Sequence, residues 1–269
     1  MNFEHKKSLG QHFLTSDYVP KQMCDAANLQ AGELVVEIGP GTGVLTKEIL
    51  ARDATVIALE TDLRAITSLE ETFEEEIANG ALTIIHTDAR KLDLSALKIE
   101  AGKYKVIANI PYYISGLLFR SFLDSNCQPS TLVFLVQKEL AERIVRDPKA
   151  SLLALSVKVF GEVKYIATIK KGHFTPPPKV DSAIISVSEI SNNYFDSFDK
   201  ALFFNVIKAG FASKRKQLAP NLKSLFPVAA TKQALLDMDL PDTSRAEDLS
   251  LFDWYQLITK LSSTPLPTS

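Results

Sequence analysis

Between residues 34 and about 137 the chain alternates short apolar, often β-branched runs with stretches of helical periodicity, and this alternation leaves few architectures open. Parallel strands cannot be joined by a tight turn; each needs a crossover long enough to hold a helix. Leu34 to Ile38, Thr55 to Leu59, Leu82 to Ile85, Tyr104 to Ala108 and Leu132 to Val136 read as five strands. Thr46 to Arg52, Leu63 to Ala78 and Leu117 to Leu123 read as the helices between them, the second with a solvated acidic face. The expectation is an α/β fold with a parallel sheet covered by helices.

Outside that core the pattern is looser. Asp17 is placed to cap a helix running toward Asn28, and Lys138 to Arg146 has helical spacing. Leu153 to Phe160, Lys164 to Lys170 and Ala183 to Val187 read as further strands, with the proline run 176–178 separating the last two. At Ser191 strand alternation stops, and Phe203, Val206, Ile207 and Phe211 fall on one helical face. Residues 1–190 are therefore expected to form the main domain and 191–269 a small helical one. Lys214 to Leu225, Thr231 to Met238 and Leu251 to Leu261 continue the helical domain, the last opening on Ser250 and Asp253 in capping-box spacing. Ser262 to Ser269, rich in Ser, Thr and Pro, reads as a disordered tail.

Composition excludes several classes. A net charge of -2 across 269 residues offers no global attraction for nucleic acid, so only local clusters of positive charge can supply one. Two distant cysteines and four scattered histidines make no spacing typical of a metal site, and the expectation is none. Residues 1–16 lack the apolar core of a signal peptide, and no run is long enough to span a bilayer; the cytoplasm is expected.

Chemistry concentrates in two places. After the first strand, Glu37-Ile38-Gly39-Pro40-Gly41-Thr42-Gly43 turns into a helix, and glycines there let a ligand approach the backbone. Alone, such a loop is also an ordinary strand-to-helix turn. Glu60, ending the second strand, can accept hydrogen bonds from ribose hydroxyls, and Asp88, following the third, from an adenine amine. A dinucleotide fingerprint requires G-x-G-x-x-G and a phosphate site, whereas E-x-G-x-G-x-G with an acidic rim of Glu37, Glu60 and Asp88 suits the positively charged, phosphate-free S-adenosylmethionine. Oxidoreduction is the second reading, without an evident proton donor for it.

The other place is Asn109-Ile110-Pro111-Tyr112, at the end of a strand about seventy residues later. An exocyclic adenine amine is a poor nucleophile because its lone pair is delocalised into the ring. Accepting both its hydrogens favours a pyramidal nitrogen. Asn109 offers a side-chain carbonyl, Ile110 a backbone one, Pro111 a fixed turn and Tyr112 a stacking face. This arrangement points to methylation of a nucleobase amine.

Together with the glycine loop and Asn109 to Tyr112, the blocks Lys7 to Leu14, Gln137 to Glu139, Phe174 to Ala183, Phe211 to Leu222 and Arg245 to Ser250 resemble the KsgA-type rRNA adenine N6-dimethyltransferases, in order, from about residue 7 to 260. The resemblance implies a Rossmann-like S-adenosylmethionine-dependent methyltransferase domain followed by a small helical domain that contacts RNA or the ribosome. It implies dimethylation of two adjacent adenines near the 3' end of 16S rRNA in the immature small subunit, by a monomer. It assigns cofactor contacts to His12, Leu14, Gly39, Gly41, Glu60, Asp88 and Asn109, and catalytic or target-base contacts to Asn109, Pro111, Tyr112 and Phe174. Three positions depart from the common pattern: His12 and Tyr113 stand where many members have Asn, and Ser213-Lys214 replace Gln-Arg. Two alternatives stay open, a 23S rRNA dimethyltransferase of the macrolide-resistance type and a non-catalytic assembly or transcription factor on the same fold. From Lys200 to Lys232 there are seven basic residues and no acidic one, a local charge suited to RNA phosphates.

Overall fold

The computed structural model describes residues 12–91, 94–196 and 199–263. Lys7 to Gln11 of the N-terminal block, and 264–269 of the tail, lie outside them. Nine strands run β1 (Phe13–Leu14), β2 (Leu34–Ile38), β3 (Thr55–Glu60), β4 (Leu82–His86), β5 (Tyr104–Asn109), β6 (Thr131–Gln137), β7 (Glu162–Ile169), β8 (Phe174–Thr175) and β9 (Ser182–Ser188). The helices are α1 (Tyr18–Ala26), α2 (Val44–Leu50), α3 (Leu63–Thr72), α4 (Glu74–Ala78), α5 (Ser115–Leu123), α6 (Lys138–Val145), α7 (Leu152–Lys158), α8 (Lys200–Gly210), α9 (Leu218–Asn221), α10 (Val228–Leu236) and α11 (Leu251–Ser263).

The chain divides into two compact units, residues 1–142 with 161–190, and residues 143–160 with 191–269. In the first, seven strands form one sheet in the order β4-β3-β2-β5-β6-β9-β7, and β1 pairs with β8 separately. β4 through β6 run parallel; β9 and β7 are antiparallel additions. Strands packed on both faces need continuous apolar runs, and Val35, Val36, Val106, Ile107 and Leu132 to Val136 are all fully buried. From β2 the sheet grows through β3 and β4 on one side and through β5 and β6 on the other, so the winding reverses between β2 and β5. Such a reversal opens a crevice at the strand C-termini.

All five expected strands are present. β3, β4 and β5 each run one residue beyond the apolar pattern, because Glu60 pairs with His86 and Asn109 with Leu135 on the last rungs. Two residues expected to carry chemistry thus stand on sheet backbone rather than in a loop.

Several expectations need correction. Leu153 to Phe160 is not a strand: Ser151 accepts a hydrogen bond from the Ala154 N–H at 3.2 Å and starts α7. A short apolar run cannot by periodicity distinguish a strand from a buried helix, and here the cap decides. This segment also groups with the second unit, not the first; the Ala150 N–H donates to the Glu247 carbonyl at 2.8 Å, and Lys149 pairs with Glu247 at 2.6 Å. The helix expected over Leu63 to Ala78 breaks at Phe73 (φ -118°, ψ 35°), whose ring is buried where a Cβ on Gly43 would stand. Lys214 to Leu225 is helical only at α9, because Pro220 has no N–H to bond the carbonyl four residues back and its ring would clash there. Asp17 stands at the start of α1 but its side chain makes no capping bond. At α11 the expected box forms, with the Asp253 N–H donating to Ser250 Oγ at 3.1 Å and the Ser250 N–H to Asp253 Oδ2 at 2.8 Å. The core of the second unit centres on Trp254, fully buried, its ring occupying the space a side chain on Gly210 would need.

Candidate functional site

At the C-terminal ends of β2, β3, β4 and β5 the first unit holds a cavity of about 460 Å³. This lies in the range typical of small-molecule sites. His12, Leu14, Gly39, Gly41, Glu60, Asp88, Asn109, Pro111 and Tyr112 all line it. The residues expected from distant parts of the chain are therefore brought together, with one exception. Phe174 does not line the cavity; strand alternation sends Thr175 outward and Phe174 into the core, where it is 3% exposed. It pairs with Leu14 across the β1–β8 ribbon.

The glycine loop is shaped by backbone conformations that other residues resist. Gly39, Gly41 and Gly43 have φ of 64°, 58° and 78°. A Cβ on Gly41 would stand 2.8 Å from the Phe13 ring, which lies over the loop, and one on Gly43 would collide with Phe73 and Leu69. A Cβ on Gly39 would meet nothing within 4 Å. That open space beside exposed backbone is a cradle for a ligand. Phe13 is a wall of the cavity that the sequence reading passed over, although it sits between two residues it named.

The three acids play different parts. Glu37 is 1% exposed, and among the described residues its carboxyl accepts one hydrogen bond, from Thr46 Oγ1 at 2.7 Å. Burial, reinforced by the nearby Glu60 carboxylate, pushes its carboxyl up to about 8, against the smaller opposing effect of Thr46. At neutral pH Glu37 is mostly protonated and adds little negative charge, which corrects its expected place in an acidic rim. Glu60 is tied into its loop: Oε1 accepts from the N–H groups of Thr61 (2.7 Å) and Asp62 (2.9 Å), and Oε2 from Gly41 (3.2 Å). Thr61 Oγ1 also donates to Oε1, at 3.4 Å, whereas Oε2 accepts from Gly41 alone among the described residues and keeps a second lone pair for a ligand hydroxyl. Asp88 is held by Arg90, which donates through Nε and Nη2 at 2.9 and 2.6 Å, and these bonds keep its carboxyl below the ordinary value. Arg90, two residues beyond Asp88 and so within reach of a turn, is a competitor for that carboxylate that the sequence reading did not weigh.

The second half of the site is the turn after β5. Pro111 has φ -57°, as its ring requires, and directs the chain into a short 3-10 turn at Tyr112–Ile114. Asn109 Nδ2 donates to the His12 carbonyl at 3.1 Å. A carbonyl can only accept, so this bond fixes which end of the amide is which and leaves Oδ1 without a donor among the described residues. Tyr112 is anchored by its hydroxyl to Ser182 Oγ at 2.8 Å, burial raises its phenol above the ordinary range, and its ring lies 6.1 Å from that of His12, tilted by 28°. Its ring is thus held in place beside a free amide oxygen.

The cavity fits S-adenosylmethionine in its lining: open space beside the Gly39 backbone, an acceptor on Glu60 and the Asp88 carboxylate once Arg90 yields. Among the described residues no group of His, Cys, Asp and Glu could hold a metal, and no helix is long and apolar enough to cross a membrane.

A family model described as ribosomal RNA adenine dimethylase matches residues 2–262. Over 265 residues the chain is 36% identical to Ribosomal RNA small subunit methyltransferase A of Dehalococcoides mccartyi, covering 97% of this chain and 89% of that protein. It is also 36% identical to the protein of the same name from Synechocystis sp., over 99% of both. Among solved structures, a dimethyladenosine transferase from Plasmodium falciparum matches with a TM-score of 0.78 and 26% identity, over 93% of this chain and 98% of that one. With a family model that matches residues 2–262 and relatives 36% identical over nearly the whole chain, the chain belongs to the ribosomal RNA adenine dimethylase family.

Proposed function

We infer that this protein transfers methyl groups from S-adenosylmethionine to the N6 amine of adenine in small-subunit ribosomal RNA. When bound, that cofactor supplies an electrophilic methyl group on a sulfonium. Gly39 and Gly41 give its main chain access, Glu60 a hydroxyl acceptor, Asp88 an amine acceptor, and Leu14 and Phe13 an apolar wall. The observation that carries the reading is the direction of the Asn109 amide. With Nδ2 committed to His12, Oδ1 accepts one hydrogen of a target amine and the Ile110 carbonyl accepts the other, so the nitrogen lone pair is released from the ring. No strong base is needed, because the proton becomes acidic once the nitrogen carries the new methyl. Tyr112, held by Ser182, offers its face to the base.

In the finer reading, the substrate is a pair of adjacent adenines near the 3' end of 16S rRNA in the immature small subunit, and the protein works as a monomer in the cytoplasm. In support, five of the seven basic residues between Lys200 and Lys232, namely Lys208, Lys214, Arg215, Lys216 and Lys223, are exposed. The remaining two have local partners, Lys232 with Asp242 and Lys200 over the Phe160 ring. The five suit phosphate contacts that position RNA without reading its sequence. The large-subunit and non-catalytic alternatives have no comparable support. Incubation with label-carrying S-adenosylmethionine and unmethylated small subunits, followed by mapping of the label, tests the reading: label on two neighbouring adenines of the small-subunit RNA is expected, and label elsewhere or none overturns it.

A further inference from the structure

An amide side chain is nearly symmetrical in shape, yet only one of its two orientations can serve an amine. Turned the other way, Asn109 would point an NH2 at an NH2. The orientation is set by one atom, the carbonyl oxygen of His12, 3.1 Å from Nδ2. What holds that atom is therefore part of the catalytic apparatus.

Residue 12 immediately precedes β1, whose ribbon pairs Phe13 with Thr175 and Leu14 with Phe174. On the far side of the ribbon the Thr15 N–H donates to the His173 carbonyl at 3.0 Å. Residue 12 lies outside the paired residues, and its link to the partner segment is its side chain: Nδ1 lies 2.7 Å from the Pro176 carbonyl oxygen and, facing an atom that can only accept, carries the proton. The same ring lies against Tyr112.

We propose that His12 is a positioning residue for methyl transfer: its imidazole ties residue 12 to the Pro176 carbonyl, fixes the carbonyl that orients Asn109, and so keeps Oδ1 facing the target amine. This rests on the methyltransferase reading. It makes a definite statement about side chains. In Asn, the amide nitrogen stands at the same number of bonds from Cα as His Nδ1, whereas Gln reaches one atom too far and Phe keeps the ring without the donor.

The test compares wild type with His12→Asn, His12→Gln and His12→Phe. Single-turnover methyl transfer to unmethylated small subunits, cofactor binding by calorimetry, and the exchange and chemical shift of the Asn109 side-chain NH2 in a nitrogen-15 spectrum are measured on each. The expected result is a loss of about tenfold in the transfer rate at saturating cofactor for His12→Phe and His12→Gln, the value of one hydrogen bond. His12→Asn should restore the rate, and the Asn109 NH2 signals should follow the same order. Equal rates in His12→Phe and wild type overturn the proposal. So does failure of His12→Asn to recover, or an Asn109 NH2 signal unchanged in His12→Phe. If wild type itself transfers no methyl group, the functional reading fails, and the Asn109 NH2 signals still decide whether His12 orients that amide.

Discussion

Replacing Glu37 by Gln tests the electrostatics of the cavity floor in a way that separates burial from charge. Glu37 titrates at about 8 in the folded protein against a reference of 4.5, because its carboxyl is out of water with one hydrogen bond and another carboxylate nearby. A raised folded value means that stability is fully present below the unfolded pKa and is lost as pH rises through the folded one. Between 4.5 and about 8 the folded chain holds a proton that the unfolded chain releases. In that window the protein loses about 1.4 kcal/mol per pH unit from this group alone, which integrates to about 2 kcal/mol between about pH 6 and about pH 8. Gln keeps an acceptor for Thr46 Oγ1 and has no proton to lose. Urea unfolding of cofactor-free wild type and Glu37→Gln, followed by circular dichroism at several pH values, gives the difference in stability, from which titrating groups not coupled to Glu37 cancel. The variant should gain on wild type by about 2 kcal/mol over that interval and the gap should level off above about pH 9. A gap that does not change with pH would show that Glu37 is ionised throughout, and the account of the buried acid would be wrong.

Asn109→Ala should lower the transfer rate by on the order of 100-fold, as for loss of one oriented polar group at a reacting centre, with the circular dichroism spectrum unchanged; full activity in a small-subunit assay would refute the role given to Oδ1. Arg90→Ala should raise the Asp88 carboxyl toward its ordinary value, since Arg90 is what depresses it, and should tighten cofactor binding by removing a competitor. A carbon-13 titration that leaves Asp88 in place, or weaker binding by calorimetry, would count against that. Gly41→Ala sets a Cβ 2.8 Å from the Phe13 ring at a left-handed backbone position and should cost about 1–2 kcal/mol in stability from backbone strain alone, read by urea unfolding. Changing Lys214, Arg215 and Lys216 together to Ala should weaken binding to ribosomal RNA and reduce the salt dependence by about one unit of slope for each lost phosphate contact; an unchanged slope in a filter-binding series would remove this cluster from the interface.

Much of the site was legible along the chain because its chemistry is local. The turn through Gly39, Gly41 and Gly43 needs left-handed backbone, and only glycine takes that cheaply. Pro111 announces a turn, and an acid at the end of an apolar run announces the edge of a parallel sheet. The helical unit was harder to read: the apolar run after Ser151 has the same composition as a buried strand, and only its cap and its attachment to Glu247 make it a helix of the second unit. His12 stands where the resemblance gives Asn in many members; its Nδ1 lies 2.7 Å from the Pro176 carbonyl oxygen, and an Asn amide nitrogen stands the same number of bonds from Cα. Nothing in the structure explains Ser213-Lys214.

Sequence alone was enough for the parallel sheet, the ligand loop and the Asn109 to Tyr112 turn, since each depends on backbone sterics or on polarity that a short stretch carries by itself. Tertiary structure alone decided that Glu37 is a protonated floor rather than a charged rim, that Phe174 belongs to the core and that His12 governs the Asn109 amide. These depend on desolvation and on contacts between residues up to 164 positions apart, and neither is written in the neighbourhood of any one of them.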